Sequence, residues 1–296
     1  MPLNPSDLRH LLFAASTAAY RAGNQVMKYY GRGVSVDSKG AAHLAGDVVT
    51  VADRESQQII LEVLEDIHPD IGVLGEEEGA KESQSRFEKP YFWCIDPLDG
   101  TLPFLERVNG FAVAIALVTQ AAKPVMGVCY LPAYGDMYHA VAGGGAFKNG
   151  KPIVFDPAMG AGTVTLSLNP NESIVPERYA QITAIAERIK KAPGVKKVAY
   201  QLHSGAVPKG CLLLESAPSL FVGVPRTGNE GVSIWDLAAT ACIIKAAGGV
   251  ACDVFGAPLE LNRRESTYCH HKGFILASHA ALAQAAIEGF ADSQHR

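Results

Sequence analysis

No two of the six cysteines form a C-x-x-C pair; they stand apart at positions 94, 129, 211, 242, 252 and 269. Most fall inside apolar runs, which excludes a disulfide framework and points to reduced core thiols in a cytoplasmic protein. An excess of charge is missing as well. The formal net charge is −4, so no global attraction to nucleic acid or to a membrane surface is expected. The longest apolar stretches, such as 111–118, are too short to span a bilayer. The opening Met1-Pro2-Leu3-Asn4-Pro5 has no basic segment leading into an apolar one, so no export signal is expected there. Glycine-rich phosphate loops are also lacking, because neither G-x-G-x-x-G nor Gly-Lys-Ser/Thr sits at a strand-to-helix junction. Gly143-Gly144-Gly145 and Asn149-Gly150 read instead as tight turns. Cys269-His270-His271 has the elements of a metal site, but adjacent residues rarely converge on one ion, and it reads as a loop. There is no internal repeat and no low-complexity tract.

What is present is a chain of 296 residues, 48% hydrophobic and 19% charged, enough for one large domain or two moderate ones. Ser6 is placed to cap a long helix reaching Tyr30, followed by a short strand at Val34–Asp37. Thr50 and Asp53 have the spacing of a capping box for a helix ending before His68-Pro69. Strands are predicted at Ile71–Leu74 and Tyr91–Ile95, then a short helix after Thr101. Three strands at Phe111–Thr119, Pro124–Tyr130 and Met137–Val141 have connections short enough for an antiparallel meander. The second half alternates strand and helix through a buried helix from Asp236 to Ala247, two further strands and a C-terminal helix. A boundary near Asn149-Gly150 divides the chain into residues 1–149, an α+β unit with most of the acidic candidates, and 150–296, an α/β unit supplying Asp236.

The chemistry gathers at Asp96-Pro97-Leu98-Asp99-Gly100-Thr101. Two carboxylates three residues apart bracket a stiff Pro-Leu pair at the end of a buried strand. Gly100 leaves the neighbouring amides bare to a ligand. Two aspartates and the Leu98 carbonyl offer the hard oxygens that a divalent cation takes, and free amides beside a cation suit a phosphate. A plain turn after a strand uses the same residue types. Asp47 in a loop, the triplet Glu76-Glu77-Glu78 at a strand end and Asp236 at a helix start each have an ordinary structural role too. Taken together, acids at several strand and helix ends make a converging oxygen-only site, for which magnesium is the natural ion.

Gly75-Glu76-Glu77, Asp96-Pro97-Leu98-Asp99-Gly100-Thr101 and Trp235-Asp236-Leu237-Ala238-Ala239 resemble the three signatures of the inositol monophosphatase family. That superfamily also includes fructose-1,6-bisphosphatases and 3′(2′),5′-bisphosphate nucleotidases. Asp47-Val48-Val49-Thr50-Val51-Ala52-Asp53 is similar to its D-x-V-T-x-A-D segment. Residues 111–153 and Ala246-Ala247-Gly248-Gly249-Val250 resemble two more, with Ala246 where a glutamate is usual. The resemblance implies a layered αβαβα sandwich and a Mg²⁺-dependent phosphatase of a small soluble phosphate monoester. It further implies two to three ions, lithium inhibition and a homodimer.

Carried over by position, Glu76, Asp96 and the Leu98 carbonyl would hold one ion, and Asp96, Asp99 and Asp236 a second. A third would lie near Glu76 and Asp47. The amides of Gly100 and Thr101 would grip the phosphate, Asp47 and Thr101 would prepare the attacking water, and Glu77 would support a ligand or water. Leu102-Pro103-Phe104 matches neither the Thr-Asn-Phe of inositol-phosphate enzymes nor the Lys-Glu-Phe of nucleotidases. Gly205 to Cys211 and Pro225-Arg226 look more like the nucleotidase branch, in which Lys209 and Arg226 would meet a second phosphate; as plain structure they would be surface cations. Asn229 and Glu230 stand about where inositol phosphatases carry a hydroxyl-binding acid. The alternative from another class is a metal or sugar-phosphate binding protein without catalysis.

Overall fold

A computed structural model describes residues 3–30, 36–38, 48–65, 67–78, 82–160, 162–228 and 230–294. The chain opens with α1 (Pro5–Tyr29), a short ribbon of β1 (Val36–Ser38) and β2 (Val48–Thr50), and α2 (Val51–Glu65). Seven strands then form one sheet: β3 (Gly72–Gly75), β4 (Tyr91–Asp99), β5 (Ala112–Thr119), β6 (Pro124–Leu131), β7 (Asp136–Val141), β8 (Ala146–Lys148) and β9 (Lys151–Ile153). Only β3 and β4 run parallel; from β4 onward the sheet is the expected antiparallel meander. The short helix α3 (Thr101–Leu105) leaves the end of β4.

The second half supplies β10 (Gly162–Ser167), α4 (Pro176–Lys190), β11 (Val195–Gln201), α5 (Ala206–Leu213) and β12 (Ser219–Gly223). It continues with α6 (Ile234–Ala246), β13 (Val250–Cys252), β14 (Phe274–Ala277) and α7 (Ala280–Ser293). Its strands form a five-stranded sheet in the order β11-β10-β12-β14-β13.

The layering follows from alternation along β4 and its neighbours. Trp93 and Ile95 pack with Leu11, Ala15 and Ile60 of α1 and α2, whereas Phe92 and Cys94 face the opposite way, towards Leu237 and Ala241 of α6. A strand covered on both faces needs no polar alternation, which is why 91–95 is apolar throughout. Helix α6 is apolar on every side because it lies between the two sheets, sharing a core with Phe221, Phe274 and Leu276. Helices α4 and α7 cover the outer face of the five-stranded sheet. The outcome is the expected αβαβα sandwich.

One expectation is corrected here. The cap of α1 is Asn4, whose Oδ1 accepts from the amides of Ser6 (2.7 Å) and Asp7 (3.1 Å), while Asp7 accepts from the Asn4 amide (2.9 Å). Pro5 at the first turn costs no hydrogen bond, so the helix starts earlier than Ser6 suggested. The boundary expected at Asn149-Gly150 falls inside a hairpin. Lys148 pairs with Lys151, and Asn149 (φ 50°) and Gly150 (φ 76°) make the left-handed pair that two-residue hairpins favour. The seven-stranded sheet therefore continues to Ile153. All six cysteines are free and buried. Among the described residues no helix is long and apolar enough to cross a membrane.

Candidate active site

Strand β4 does not end at Ile95. It runs on through Asp99 with an irregularity between the two aspartates: Asp96 stands opposite Ala114 and Asp99 opposite Ala112, so β4 carries one extra residue. The expectation of a turn from Asp96 is therefore corrected to a bulge. Pro97 has no N–H to offer the ladder, and a bulge is where a strand tolerates that. Its carbonyl accepts from Ser56 Oγ (2.6 Å), and the Leu98 amide donates to Asp96 Oδ1 (3.1 Å). The Leu98 side chain is fully buried, which anchors the bulge. Gly100 then takes a φ of 83°, and a Cβ there would meet the Gly110 carbonyl at 2.4 Å, so glycine is needed twice over.

Two other elements bring acids to this bulge. Asp236 lies in the first turn of α6, where its carboxylate accepts from the amide of the cap residue Ser233 at 2.5 Å. It is thus the third helical residue of a capping box rather than the cap itself. Asp99 is held by the start of α5: the amides of Ala206 and Val207 donate to its two oxygens at 3.0 and 2.8 Å. Ligand oxygens of Asp96, Asp99 and Asp236 lie within 4.8 Å of one another. Glu76 follows β3, its amide bonded to the Ile95 carbonyl (3.2 Å), and its charge bears on Asp96.

Carboxylates so close and so buried resist ionisation. Burial, then the charges of Glu76, Asp99 and Asp236, hold the Asp96 carboxyl well above its ordinary range. Burial and Asp236 push Asp99 up to about 7, against the pull of the Val207 and Ala206 amides and of Lys209. Burial lifts Asp236 to about 6, opposed by its contact with Asp96, the Ser233 amide and Lys209. Asp96 Oδ2 is buried and meets no N–H or O–H donor, only the facing Asp236 carboxylate. An orphaned anionic oxygen inside a knot of like charges is what a hard divalent cation relieves, and these residues fit one.

A pH dependence follows. The fold favours the protonated forms of Asp99 and Asp236, whose ordinary value is 3.8. The stability this confers is complete below that value and is lost as pH rises through the folded values. The urea midpoint of the metal-free protein is therefore expected to fall between about pH 5 and about pH 8. A divalent cation should restore more of it at the higher pH, where fewer protons compete for the oxygens. Equal cation effects at both pH values would refute the strained cluster.

The structure assigns places to the other candidates. The Thr101 hydroxyl lies 3.2 Å from Asp53 Oδ1 and 3.1 Å from the Leu98 carbonyl. Asp53, expected as a helix-capping acid, is thus a buried neighbour of the site; its segment was noticed but its reach was not. The Glu77 amide donates to Gln57 Oε1 (3.0 Å). Asp47 and Asn229 lie outside the described residues.

Lys209 and Arg226 are not surface cations. The Lys209 ammonium is buried and donates to the Ser204 carbonyl at 2.6 Å. Arg226 is hydrogen-bonded to buried Glu172, and Glu230 pairs with Arg178 at 3.4 Å. Both cations already have partners, so the second-phosphate contact expected of them is not preformed. His271 pairs with Glu260 (2.7 Å) in the loop read at Cys269-His270-His271. Sequence reasoning missed Glu172 and Arg178, and it singled out Gly205 to Cys211 without the hold that the Ala206 and Val207 amides have on Asp99.

Residues 7–295 match the profile of the inositol monophosphatase family. An inositol-1-monophosphatase of Synechocystis sp. is 28% identical over 95% of this chain and 88% of its own. A 3′(2′),5′-bisphosphate nucleotidase CysQ of Salmonella typhimurium is 34% identical over 84% of this chain and 92% of its own. The crystal structure of inositol monophosphatase-II from Staphylococcus aureus superposes with a TM-score of 0.72 at 20% identity, covering 97% of this chain and 94% of that one.

Proposed function

The chain belongs to the inositol monophosphatase family, whose members are metal-dependent phosphomonoester hydrolases, and we propose that it hydrolyses a small soluble phosphate monoester of the inositol-phosphate type with magnesium. The observation that carries this reading is the convergence of buried Asp96 and Asp99 with half-buried Asp236, from two distant parts of the chain, within one small volume.

The residues that would hold the ions are Glu76, Asp96, the Leu98 carbonyl, Asp99 and Asp236, with two to three ions in all. Magnesium bound there supplies neutralisation of phosphate oxygens and a more acidic water. The chain's own groups do the positioning. The Gly100 and Thr101 amides are the proposed grip on the phosphate. The Thr101 hydroxyl donates to Asp53 or to the Leu98 carbonyl, which leaves its oxygen lone pairs to accept from a water and orient it. Asp47 keeps its proposed part in preparing that water, and Glu77 in supporting a ligand. Glu230 and Asn229 are the proposed contacts to the substrate's hydroxyls. A cytoplasmic homodimer is the proposed working form.

Substrate choice is decided by charge. A bisphosphate needs cations for its second phosphate, and Lys209 and Arg226 are committed to Ser204 and Glu172. Recruiting either would break a buried polar contact, so a single phosphate is favoured. The identity to a bisphosphate nucleotidase and the Gly205–Cys211 segment keep the nucleotidase as the second reading, with a sugar bisphosphatase behind it. The test compares phosphate release from inositol-1-phosphate, fructose-1,6-bisphosphate and adenosine 3′,5′-bisphosphate, with and without magnesium. The highest specificity constant is expected for inositol-1-phosphate, and only with the ion. Preference for the adenosine bisphosphate would move the assignment to nucleotidase. Silence on the whole panel would leave the non-catalytic binding protein.

A further inference from the structure

We infer that Lys209 is a positioning residue for Asp99: its ammonium locks a strained backbone at Ser204, from which the next amides reach the Asp99 carboxylate. The inference rests on the proposed divalent site, in which Asp99 is a ligand.

Ser204 has a φ of 134°. The small left-handed region that side chains tolerate ends well short of that angle, so serine is strained there and glycine would not be. Such strain persists only where the surroundings impose it. Here the peptide that follows Ser204 is gripped at both ends. Its carbonyl accepts from Lys209 Nζ at 2.6 Å, and its N–H, that of Gly205, donates to the Gly110 carbonyl at 2.8 Å. The two amides after it, of Ala206 and Val207, donate to the two oxygens of Asp99 at 3.0 and 2.8 Å. Relaxation of Ser204 would swing this peptide and the start of α5 with it, and the hold on Asp99 would be lost.

Lys209 lies one turn into α5, and its side chain runs back to the residue before the helix cap. It is 1% exposed. Its second partner, Asn169 Oδ1, is at 3.4 Å, and the Phe221 ring lies 5.6 Å from Nζ. All of these groups are neutral, and an ammonium buried among neutral groups is costly. What it supplies is a charge-assisted bond to a carbonyl, stronger than a neutral one and suited to holding a peptide against strain. A phosphate contact needs an ammonium open to the substrate, and this one is covered.

The test compares the parent with Lys209→Met, which keeps the reach of the side chain without its donors, and with a double variant that adds Ser204→Gly. Glycine adopts a positive φ without steric cost, so the double variant no longer needs the lock. Each protein is stripped of metal by a chelator and titrated with magnesium by calorimetry. Phosphate release from inositol-1-phosphate is then measured across magnesium concentrations. Lys209→Met is expected to raise the magnesium dissociation constant on the order of tenfold, with KM at saturating magnesium within about twofold of the parent's. The double variant should recover most of that loss. A double variant that folds where Lys209→Met alone does not gives the same support. A double variant as impaired as the single one, in fold or in affinity, means that the ammonium does not serve the Ser204 backbone and overturns the inference. An unchanged dissociation constant in Lys209→Met would mean a merely structural lysine and overturn it as well. A lowered constant would show that the ammonium acts through its charge, and a raised KM with unchanged magnesium affinity that it touches substrate; either result overturns it. A parent that binds no magnesium removes the divalent site itself and this inference with it. Binding by the parent with equal affinity in Lys209→Met removes the inference alone.

Discussion

Asp96→Asn is expected to lower magnesium-dependent phosphate release on the order of a thousandfold while the protein stays folded. Asp96 is the carboxylate on which the others converge. It is 1% exposed, and one of its oxygens is engaged by the Leu98 amide while the other has no donor. Asparagine keeps the shape but removes the charge and turns one ligand oxygen into an N–H₂ group, which no cation accepts as a ligand. The same change should make the metal-free protein melt higher at pH 8. Burial and the charges of Glu76, Asp99 and Asp236 all disfavour the ionised form of Asp96, and the substitution removes that cost. Loss of activity with a gain in metal-free stability is a combination that a packing defect does not produce. Activity equal to the parent's, measured as phosphate release at saturating magnesium, would refute the site.

The second large effect is expected at a residue with no functional group. In Gly205→Ala the new Cβ would stand 2.1 Å from Asp99 Oδ2, 2.7 Å from its Cγ and 2.9 Å from the Gly100 Cα. Gly205 has a φ of −62°, which any residue adopts, so the demand is for space and not for backbone freedom. The methyl must displace either the Asp99 carboxylate from the Ala206 and Val207 amides or Gly100 from the bulge. Both movements carry a proposed metal or phosphate contact out of place. Activity should fall about a hundredfold, with the magnesium concentration for half-maximal rate raised, because small misplacements of catalytic groups are costly. Melting should change far less, since the first turn of α5 can shift by a fraction of its length. Activity within about twofold of the parent's would show that Asp99 does not need this anchor.

Much of the layered fold was legible because it depends on local pattern. The apolar run 91–95, the short connections of the meander and the Asn149-Gly150 turn each report on near neighbours only. The site was partly legible for a similar reason. Asp96, Pro97, Asp99 and Gly100 are packed into five residues, and Asp236 precedes an apolar helix. The misses share a different cause. That β4 continues through Asp99 depends on Ala112 and Ala114 across the sheet. That Arg226 is paired depends on Glu172, 54 residues away. That Thr101 meets Asp53 depends on α2 lying beside the bulge.

By itself the sequence determined which residues can ionise, where strands and helices are locally favoured, and that the polar candidates are nearly all oxygen donors. Tertiary structure alone decided that Asp96, Asp99 and Asp236 share one small volume, that a helix start holds Asp99, and that Lys209 is buried beside them. Side-chain chemistry is a property of each residue. Burial, and the interaction of one charge with another, depend on distances that only the packing of distant segments sets.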